Sequence, residues 1–305
     1  MIFKKAYNLY KKHGCKAKVV GHQLTDSKPY LLTATQSPAY FQEVVNLSGR
    51  YDFKQGYYTY RGTGSYDVYV DFAANHLGGG ALDEGFVQEE IMFATMPNAA
   101  EHLLSTSPKP TIRYGGRNVS SPCGGSPNPY LMEGAVRTIT VDLYGGSVLR
   151  GEKAHRDGTR NGKMITKENV GNYVHEVDPP NQGINILAIA APRLHRNTDS
   201  KTLECVKDLF NTAYAGFALA KQHIPTEQQC MIHSGKLGCG AFNNNVKVSI
   251  LAQLFAAQLH GIDITFYDFN GPEIQEMIDL YESITFPPNC TIEQGLYLIH
   301  QAVNK

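Results

Sequence analysis

The sequence predicts an α/β protein with a largely parallel or mixed sheet, because strand-like segments rich in Val, Ile and aromatic residues alternate with segments of helical spacing. The chain has 305 residues, of which 42% are hydrophobic, so we expect a packed core. Two glycine-rich loops each follow a predicted strand and precede a predicted helix. Ligands bind beyond the carboxyl ends of strands in open α/β sheets, so these loops predict the site.

The elements are predicted in chain order from the spacing of apolar residues. Residues 1–18 have helical spacing and six lysines, so we expect a surface helix docked on the core, followed by a short strand near Lys18–Val20. Further strands are expected at 65–72, 136–143, 183–190, 229–233 and 262–269. Further helices are expected at 38–45, 83–95, 202–219 and 245–260, with one or two more within 272–305.

Two segments have a less regular pattern. The tyrosine-rich segment 57–60 is either a strand of the core or an aromatic patch of the binding cleft. Residues 145–173 are polar and glycine-rich, which predicts a long exposed loop.

The composition excludes several classes of protein. Lys+Arg and Asp+Glu number 28 each, so no overall field attracts nucleic acid or an anionic membrane, and a polyanionic substrate would need a local site. The six cysteines are scattered without a CxxC pair, so we expect no zinc site. We find no signal peptide and no apolar run long enough to span a membrane, and expect reduced thiols in the cytoplasm, the nucleus or, for a delivered effector, a host cytosol.

The first glycine-rich loop carries the strongest chemical signal. Gly78–Gly80 follow the strand that contains Asp71, and after seven further residues Gln88, Glu89 and Glu90 open a predicted helix. Glycines let a ligand's sugar and phosphates approach the backbone, and paired carboxylates supply an acid and a positioning group. The loop therefore predicts a site that binds a nucleotide diphosphate and breaks a glycosidic bond.

The second glycine-rich loop, Gly235–Phe242, also precedes a helix. A helix N-terminus presents N–H groups and positive partial charge, so the two loops together could hold a pyrophosphate. Neither loop has the spacing of a P-loop or of the GxGxxG motif, so a nicotinamide-dependent oxidoreductase is disfavoured.

These motifs resemble a known family. The segment GGGALDEGFVQEE (78–90) is similar to the glycine triplet and QEE signature of poly(ADP-ribose) glycohydrolases, and LGCGAFNNN (237–245) resembles the family's diphosphate loop. The resemblance covers about 65–270. It implies a three-layer α/β/α macrodomain-like fold with a mixed sheet and accessory helices at both ends, an ADP-ribose ligand, and neither a metal nor another cofactor.

The sequence pattern and the resemblance together predict a division of the chain, and the resemblance implies roles for the acids. Residues 1–60 would be an N-terminal accessory segment, 61–272 the macrodomain-like catalytic core and 273–305 a C-terminal helical segment, all in one compact unit. Glu90 would be the general acid that protonates the leaving group. Glu89 would hold the ribose hydroxyls, and Gln88 would line the cleft.

The other residues that the resemblance implies contact the ligand. The first loop would make room for the distal ribose and phosphate. The second would wrap the diphosphate, with Phe242 covering the ribose, and Phe269 would stack on adenine. These positions are Asp71, Asn75, Gly78, Gly79, Gly80, Gly238, Cys239, Gly240, Ala241, Phe242 and Phe269. The family's Asn lies one residue earlier than Asn75, where this chain has Ala74, so the linkage that is cleaved stays open.

The resemblance implies an ADP-ribosyl glycohydrolase, with the ribose–ribose bond of poly(ADP-ribose) slightly favoured. The alternatives are hydrolysis of mono-ADP-ribosyl-arginine on a protein such as ubiquitin, and a reader that binds ADP-ribose without cutting it. The partners would be ADP-ribose or an ADP-ribosylated protein or polymer, with no membrane and no sequence-specific nucleic acid. Burial and a neighbouring carboxylate would raise the pKa of the acid, whereas a helix N-terminus would lower it, and sequence does not decide between them.

Overall fold

The computed structural model describes residues 2–33, 35–81, 87–116, 125–142, 159–160, 163–164, 170–268 and 273–305. Its helices are α1 Ile2–Lys12, α2 Gln88–Thr95, α3 Pro97–Ser105, α4 Leu203–Gln222, α5 Val246–His260, α6 Glu273–Glu282 and α7 Ile292–Val303. Its strands are β1 Val20–Gln23, β2 Tyr51–Gln55, β3 Tyr66–Ala73, β4 Tyr130–Val141, β5 Thr159–Arg160, β6 Lys163–Met164, β7 Val174–Ala190, β8 Cys230–Ser234 and β9 Asp263–Asp268.

Seven strands form one sheet in the order β1-β4-β7-β3-β8-β9-β2, and β5 pairs with β6. The pairs β3/β8, β8/β9 and β9/β2 are parallel. Helices α4 and α5 lie between successive strands of the chain, as parallel connections require. The predicted α/β class and mixed sheet are confirmed. Within the described part of the chain, no helix is long and apolar enough to cross a membrane.

The chain divides into two compact units. The first comprises residues 1–21, 73–111 and 132–186. In its core, Ile2, Ala6 and Leu9 of α1 pack with Ile139 of β4 and Val174 of β7. The apolar residues of α1 recur every three or four positions, so they line one side of the helix, and the lysines lie on the other. The expectation of a docked surface helix is confirmed.

The second unit comprises residues 22–72, 112–131 and 187–305. Helices α4 and α5 pack against each other, and α5 is buried along 248–257 because its sequence is apolar on nearly every side. Phe210 of α4 lies 5.4 Å from Phe255 of α5, ring centre to ring centre. Helix α5 begins after Asn245, whose side chain accepts a hydrogen bond from the Val248 N–H at 3.3 Å.

Several boundaries differ from those predicted. Pro97, which lies just beyond the predicted helix 83–95, is the first residue of a further helix, α3, at a position where proline's missing N–H costs nothing. Strand β2 was not predicted because it is only five residues long and three of its side chains are exposed. Strands β4 and β7 begin at Tyr130 and Val174, earlier than predicted, and only a short 3₁₀ helix forms within 38–45. Most of the predicted loop 145–173 lies outside the described residues.

Candidate active site

The first glycine loop is held in place by the segment that follows α3. The Leu77 N–H donates to the Pro110 carbonyl at 3.2 Å, and His76 forms a β-bridge with Thr111. Gly79 has a φ of +44°, and a Cβ at this position would collide with Glu89 Oε2 and lie 3.1 Å from Glu90 Oε1. Only glycine lets the loop approach both carboxylates this closely.

Both carboxylates of the QEE motif are clamped by backbone N–H groups. Glu89 accepts hydrogen bonds from Ala74 N at 3.0 Å and from Gly78 N at 2.8 Å, one on each oxygen. Glu90 accepts from Gly80 N at 3.1 Å and from Val87 N at 2.7 Å, again one on each oxygen. Because every carboxylate oxygen has a backbone partner, the two side chains are fixed relative to the glycine loop. We call Glu89 and Glu90 the acid pair.

The start of α2 explains why these two residues turn back onto the loop. Glu90 is the third residue of α2, and it reaches the N–H of Val87 directly before the helix, which is half of a capping box. Gln88, the first helical residue, is half-buried. A local hydrogen bond at the start of the helix therefore positions Glu90, whereas Glu89 is positioned by residues that lie more than ten positions earlier.

The acid pair is buried, with exposed fractions of 2% for Glu89 and 9% for Glu90. The pKa of Glu89 is raised from 4.5 to about 8, mainly by burial and in addition by the charge of Glu90. The N–H groups of Ala74, Gly78 and Gly79 oppose this by favouring the ionised carboxylate. For Glu89, the effect of desolvation on the pKa therefore outweighs that of the backbone N–H donors, a balance that the sequence did not decide. The acid pair can carry a proton at neutral pH.

The second glycine loop is supported from α5. Ser249 Oγ donates to the Leu237 carbonyl at 2.9 Å, and Gln253 Nε2 donates to the Gly235 carbonyl at 3.0 Å. Both side chains are fully buried. Because α5 directly follows the loop, these bonds tie the loop to the helix that it precedes.

The same loop is held from the segment that follows β7. Asn244 Nδ2 donates to Pro192 O at 2.7 Å and to Gly238 O at 3.1 Å. Gly238 has a φ of +70°, and a Cβ there would lie 2.6 Å from Asn244 Nδ2. Leu194 N donates to Phe242 O at 2.9 Å. The backbone is therefore set before any ligand arrives, which lowers the cost of binding.

The remaining loop residues present a small, open surface. Gly240 and Ala241 are exposed, whereas Phe242 and Cys239 are half-buried. Burial raises the pKa of the Cys239 thiol to about 12, so this cysteine is not a ready nucleophile. Cys239 is therefore a packing residue of the loop rather than a reactive thiol.

A buried hydrogen-bond network surrounds His233 in the second unit. His233, at the end of β8, contacts Asp67 Oδ1 through Nε2 at 2.7 Å and the Tyr267 hydroxyl through Nδ1 at 3.1 Å. The ring of Tyr69 stacks on His233 with centroids 4.3 Å apart. His233 is therefore a buried residue with partners on both ring nitrogens. Asp67 gave no motif signal, because its partner lies 166 positions further along the chain.

A lysine links the second loop to the segment after β9. Lys236 Nζ lies 2.7 Å from Asp268 Oδ2 and 2.5 Å from Glu273 Oε2. These two carboxylates engage the only lysine of the loop, so the surface left for a ligand consists of backbone, small side chains and Phe242.

The predicted site residues thus fall into two groups. The first unit brings Glu89 and Glu90 together with the glycine triplet, and Asn75 is exposed in the same loop. The second unit holds the residues of the second glycine loop and Asp71, which is fully buried in β3. Phe269 lies outside the described residues.

Comparison with known proteins identifies the family. The family described as poly(ADP-ribose) glycohydrolase, macro domain fold, matches residues 59–108 and 151–276, which is more than half of the chain. The match includes the acid pair and both glycine loops.

Solved structures are also similar. The poly(ADP-ribose) glycohydrolase of Thermomonospora curvata matches at 12% identity, covering 91% of this chain and 96% of that one, with a TM-score of 0.47. The same organism's enzyme bound to the inhibitor ADP-HPD matches at 12% identity over 89% and 86%, with a TM-score of 0.41. The Deinococcus radiodurans enzyme in complex with ADP-ribose matches at 13% identity over 75% and 82%, with a TM-score of 0.41. From the family match, the chain belongs to the poly(ADP-ribose) glycohydrolase family and is a glycosidase.

Proposed function

We propose that this protein hydrolyses the glycosidic bond at the distal ribose of ADP-ribose conjugates and releases ADP-ribose, with ribose–ribose bonds of poly(ADP-ribose) as the favoured substrate. The observation that carries this proposal is the buried acid pair, whose four oxygens are clamped against the glycine loop. The raised pKa of Glu89 supports the presence of one proton on the pair at neutral pH. Departure of a poor leaving group from a ribose needs such a proton.

In the proposed reaction, the acid pair shares one proton, and Glu90 donates this proton to the leaving oxygen as the bond from that oxygen to C1 of the distal ribose breaks. Positive charge then develops at C1 and the ring oxygen, as in other glycosidases. A water molecule attacks C1 and returns a proton to Glu90, so the acid is regenerated. We assign the transfer to Glu90 because its side chain is the more exposed of the two and because the family resemblance gives this role to the second glutamate.

Glu89 then has a positioning role. Its carboxyl group is held by backbone donors on both oxygens, so it presents a fixed acceptor to the ribose hydroxyls. The second glycine loop would take the diphosphate through backbone N–H groups around Gly240 and Ala241, where exposed small side chains leave room for phosphate. Phe242 would cover the adjacent ribose. None of these steps uses a metal, so we expect turnover to persist in EDTA.

The test compares wild type with Glu90→Gln on purified poly(ADP-ribose) and on an arginine-modified protein, with free ADP-ribose as the readout. Loss of general acid catalysis should slow release by about 10²–10⁴-fold. Glu101→Gln is the matched control, because Glu101 is exposed on α3 in the same unit and the chemical change is identical. Equal release by wild type and Glu90→Gln would remove Glu90 from the acid role.

The same experiment separates the alternatives. Release from the arginine-linked substrate but not from polymer would favour a mono-ADP-ribosyl hydrolase, for which ADP-ribosylated ubiquitin is the next substrate to try. Binding of ADP-ribose without release from either substrate would indicate a reader. Loss of activity in EDTA that returns with an added divalent cation would contradict the metal-independent mechanism.

A further inference from the structure

The positive charge of this protein is unevenly distributed. Six of its 28 basic side chains lie within the first 18 residues, and the first acidic residue is Asp26. Overall, basic and acidic residues are equal in number, so this segment is a local positive region on a neutral chain. Such a region attracts polyanions only over about one Debye length, and so acts on ligands already nearby.

The side of α1 that faces solvent combines lysines with aromatic rings. Lys5 Nζ donates to Val174 O at 2.8 Å, and Lys12 Nζ lies 3.4 Å from Glu176 Oε1. Lys4 and Lys11 are exposed, and no carboxylate among the described residues pairs with either of them. These two lysines remain available to an external anion.

Phe3 and Tyr7 lie beside those lysines. Their rings stack with centroids 6.0 Å apart and planes 22° apart, and Phe3 is 37% exposed. Lys11 Nζ lies 4.2 Å from the centre of the Tyr7 ring. Alternating cations and aromatic faces bind phosphates and stack nucleobases, as in proteins that bind single-stranded nucleic acid. We call Phe3, Lys4, Tyr7 and Lys11 the lysine face.

The location of this face favours one ligand. The apolar side of α1 is buried in the core of the first unit, so it is not available for insertion into a membrane. Ile91 and Ala94 of α2 pack against that core cluster, and α2 carries the acid pair in its first turn. The lysine face is therefore presented by a helix that packs on the catalytic helix.

We propose that the lysine face binds an adenine-pyrophosphate unit of poly(ADP-ribose) other than the unit held in the active site. This inference rests on the proposed function, since it names polymer rather than single ADP-ribose as the better ligand. Lys4 and Lys11 neutralise the pyrophosphate, and adenine stacks on Phe3. Each further unit on the polymer adds the same phosphates and base, so a second contact raises affinity through effective concentration.

The test measures binding, so that it does not depend on turnover. Lys4→Gln/Lys11→Gln is made in the Glu90→Gln background, and labelled poly(ADP-ribose) of defined length and monomeric ADP-ribose are titrated by fluorescence anisotropy. The control is Lys54→Gln/Lys305→Gln, which removes two exposed lysines of the second unit. We expect Kd for polymer to rise on the order of tenfold at low salt, with a salt slope smaller by about 1.4. Kd for the monomer should not change.

A second variant tests the aromatic part. Phe3→Ala should weaken polymer binding while leaving the salt slope unchanged, because it removes stacking and no charge. The proposal is overturned if polymer Kd is equal in the lysine variant and in its control. It is also overturned if single-stranded RNA of similar length binds as tightly as polymer and is weakened equally by the variant. If wild type releases no ADP-ribose but polymer binding still depends on the lysine face, the proposed function fails and this inference stands.

Discussion

Replacing Glu89 with glutamine should change how the stability of this protein depends on pH. Glu89 is 2% exposed, and burial raises its pKa from 4.5 to about 8. The folded chain therefore holds this proton more tightly than the unfolded chain does. The resulting stabilisation is complete below pH 4.5 and is lost as pH rises through about 8.

The size of the effect follows from the two pKa values. A pKa difference between 4.5 and about 8 corresponds to a change of about 5 kcal/mol in the free energy of unfolding over the whole range. About 3 kcal/mol of this change falls between about pH 5.5 and 7.5, where the folded state binds about one proton more than the unfolded state. Glutamine does not titrate, so Glu89→Gln should lack this slope.

The variant also carries a cost that does not depend on pH. The amide NH₂ of glutamine accepts no hydrogen bond, so either the Ala74 N–H or the Gly78 N–H loses its acceptor, at a cost of about 1–3 kcal/mol. We therefore expect Glu89→Gln to be less stable than wild type at about pH 5.5. The gap should close or reverse at about pH 8.

Urea unfolding followed by circular dichroism, repeated at several pH values, measures this directly. Glu101→Gln makes the same chemical change at an exposed position of α3 and should keep the slope of wild type. Parallel stability curves for wild type and Glu89→Gln between about pH 5 and 8 would refute the reasoning. Such a result would mean that the carboxylate is ionised in the fold and that the backbone donors outweigh burial.

Three further predictions concern the loops and the buried network. Gly79→Ala should destabilise the protein by about 1–3 kcal/mol in thermal unfolding, because the added Cβ would collide with Glu89. Gly240→Ala should match wild type, because its Cβ would contact no other atom. Equal melting temperatures for the two variants would contradict this prediction. Gly238→Ala, with a φ of +70°, should raise KM for ADP-ribose conjugates more than Gly240→Ala does. Asp67→Asn should lower stability at neutral pH and reduce the loss of stability below about pH 3.8. Hydrogen bonds to Asp67 outweigh its burial and lower its pKa, so the stabilisation by this carboxylate is lost on acidification. Unchanged acid unfolding of the variant would count against this prediction.

Much of the fold could be predicted because its signals are local. The α/β class follows from the alternation of strand-like and helical segments, and the limits of α5 follow from Asn245 before it and Gly261 after it. Strand β2 and helix α3 could not be predicted in the same way. Strand β2 forms because β9 offers a parallel edge. Helix α3 begins at Pro97, a residue type that ends one helix as readily as it begins the next.

The candidate site also combines features that are local in the sequence with features that depend on tertiary contacts. The sequence alone predicted which residues carry the chemistry, because the glycine triplet, the QEE motif and the second loop are contiguous patterns. Tertiary structure alone decided that Glu89 is the carboxyl whose pKa is raised to about 8 and that Asn244 and Gln253 hold the second loop. Burial and charge act through space, between groups that folding brings together from distant parts of the chain, and no spacing along the chain encodes their balance.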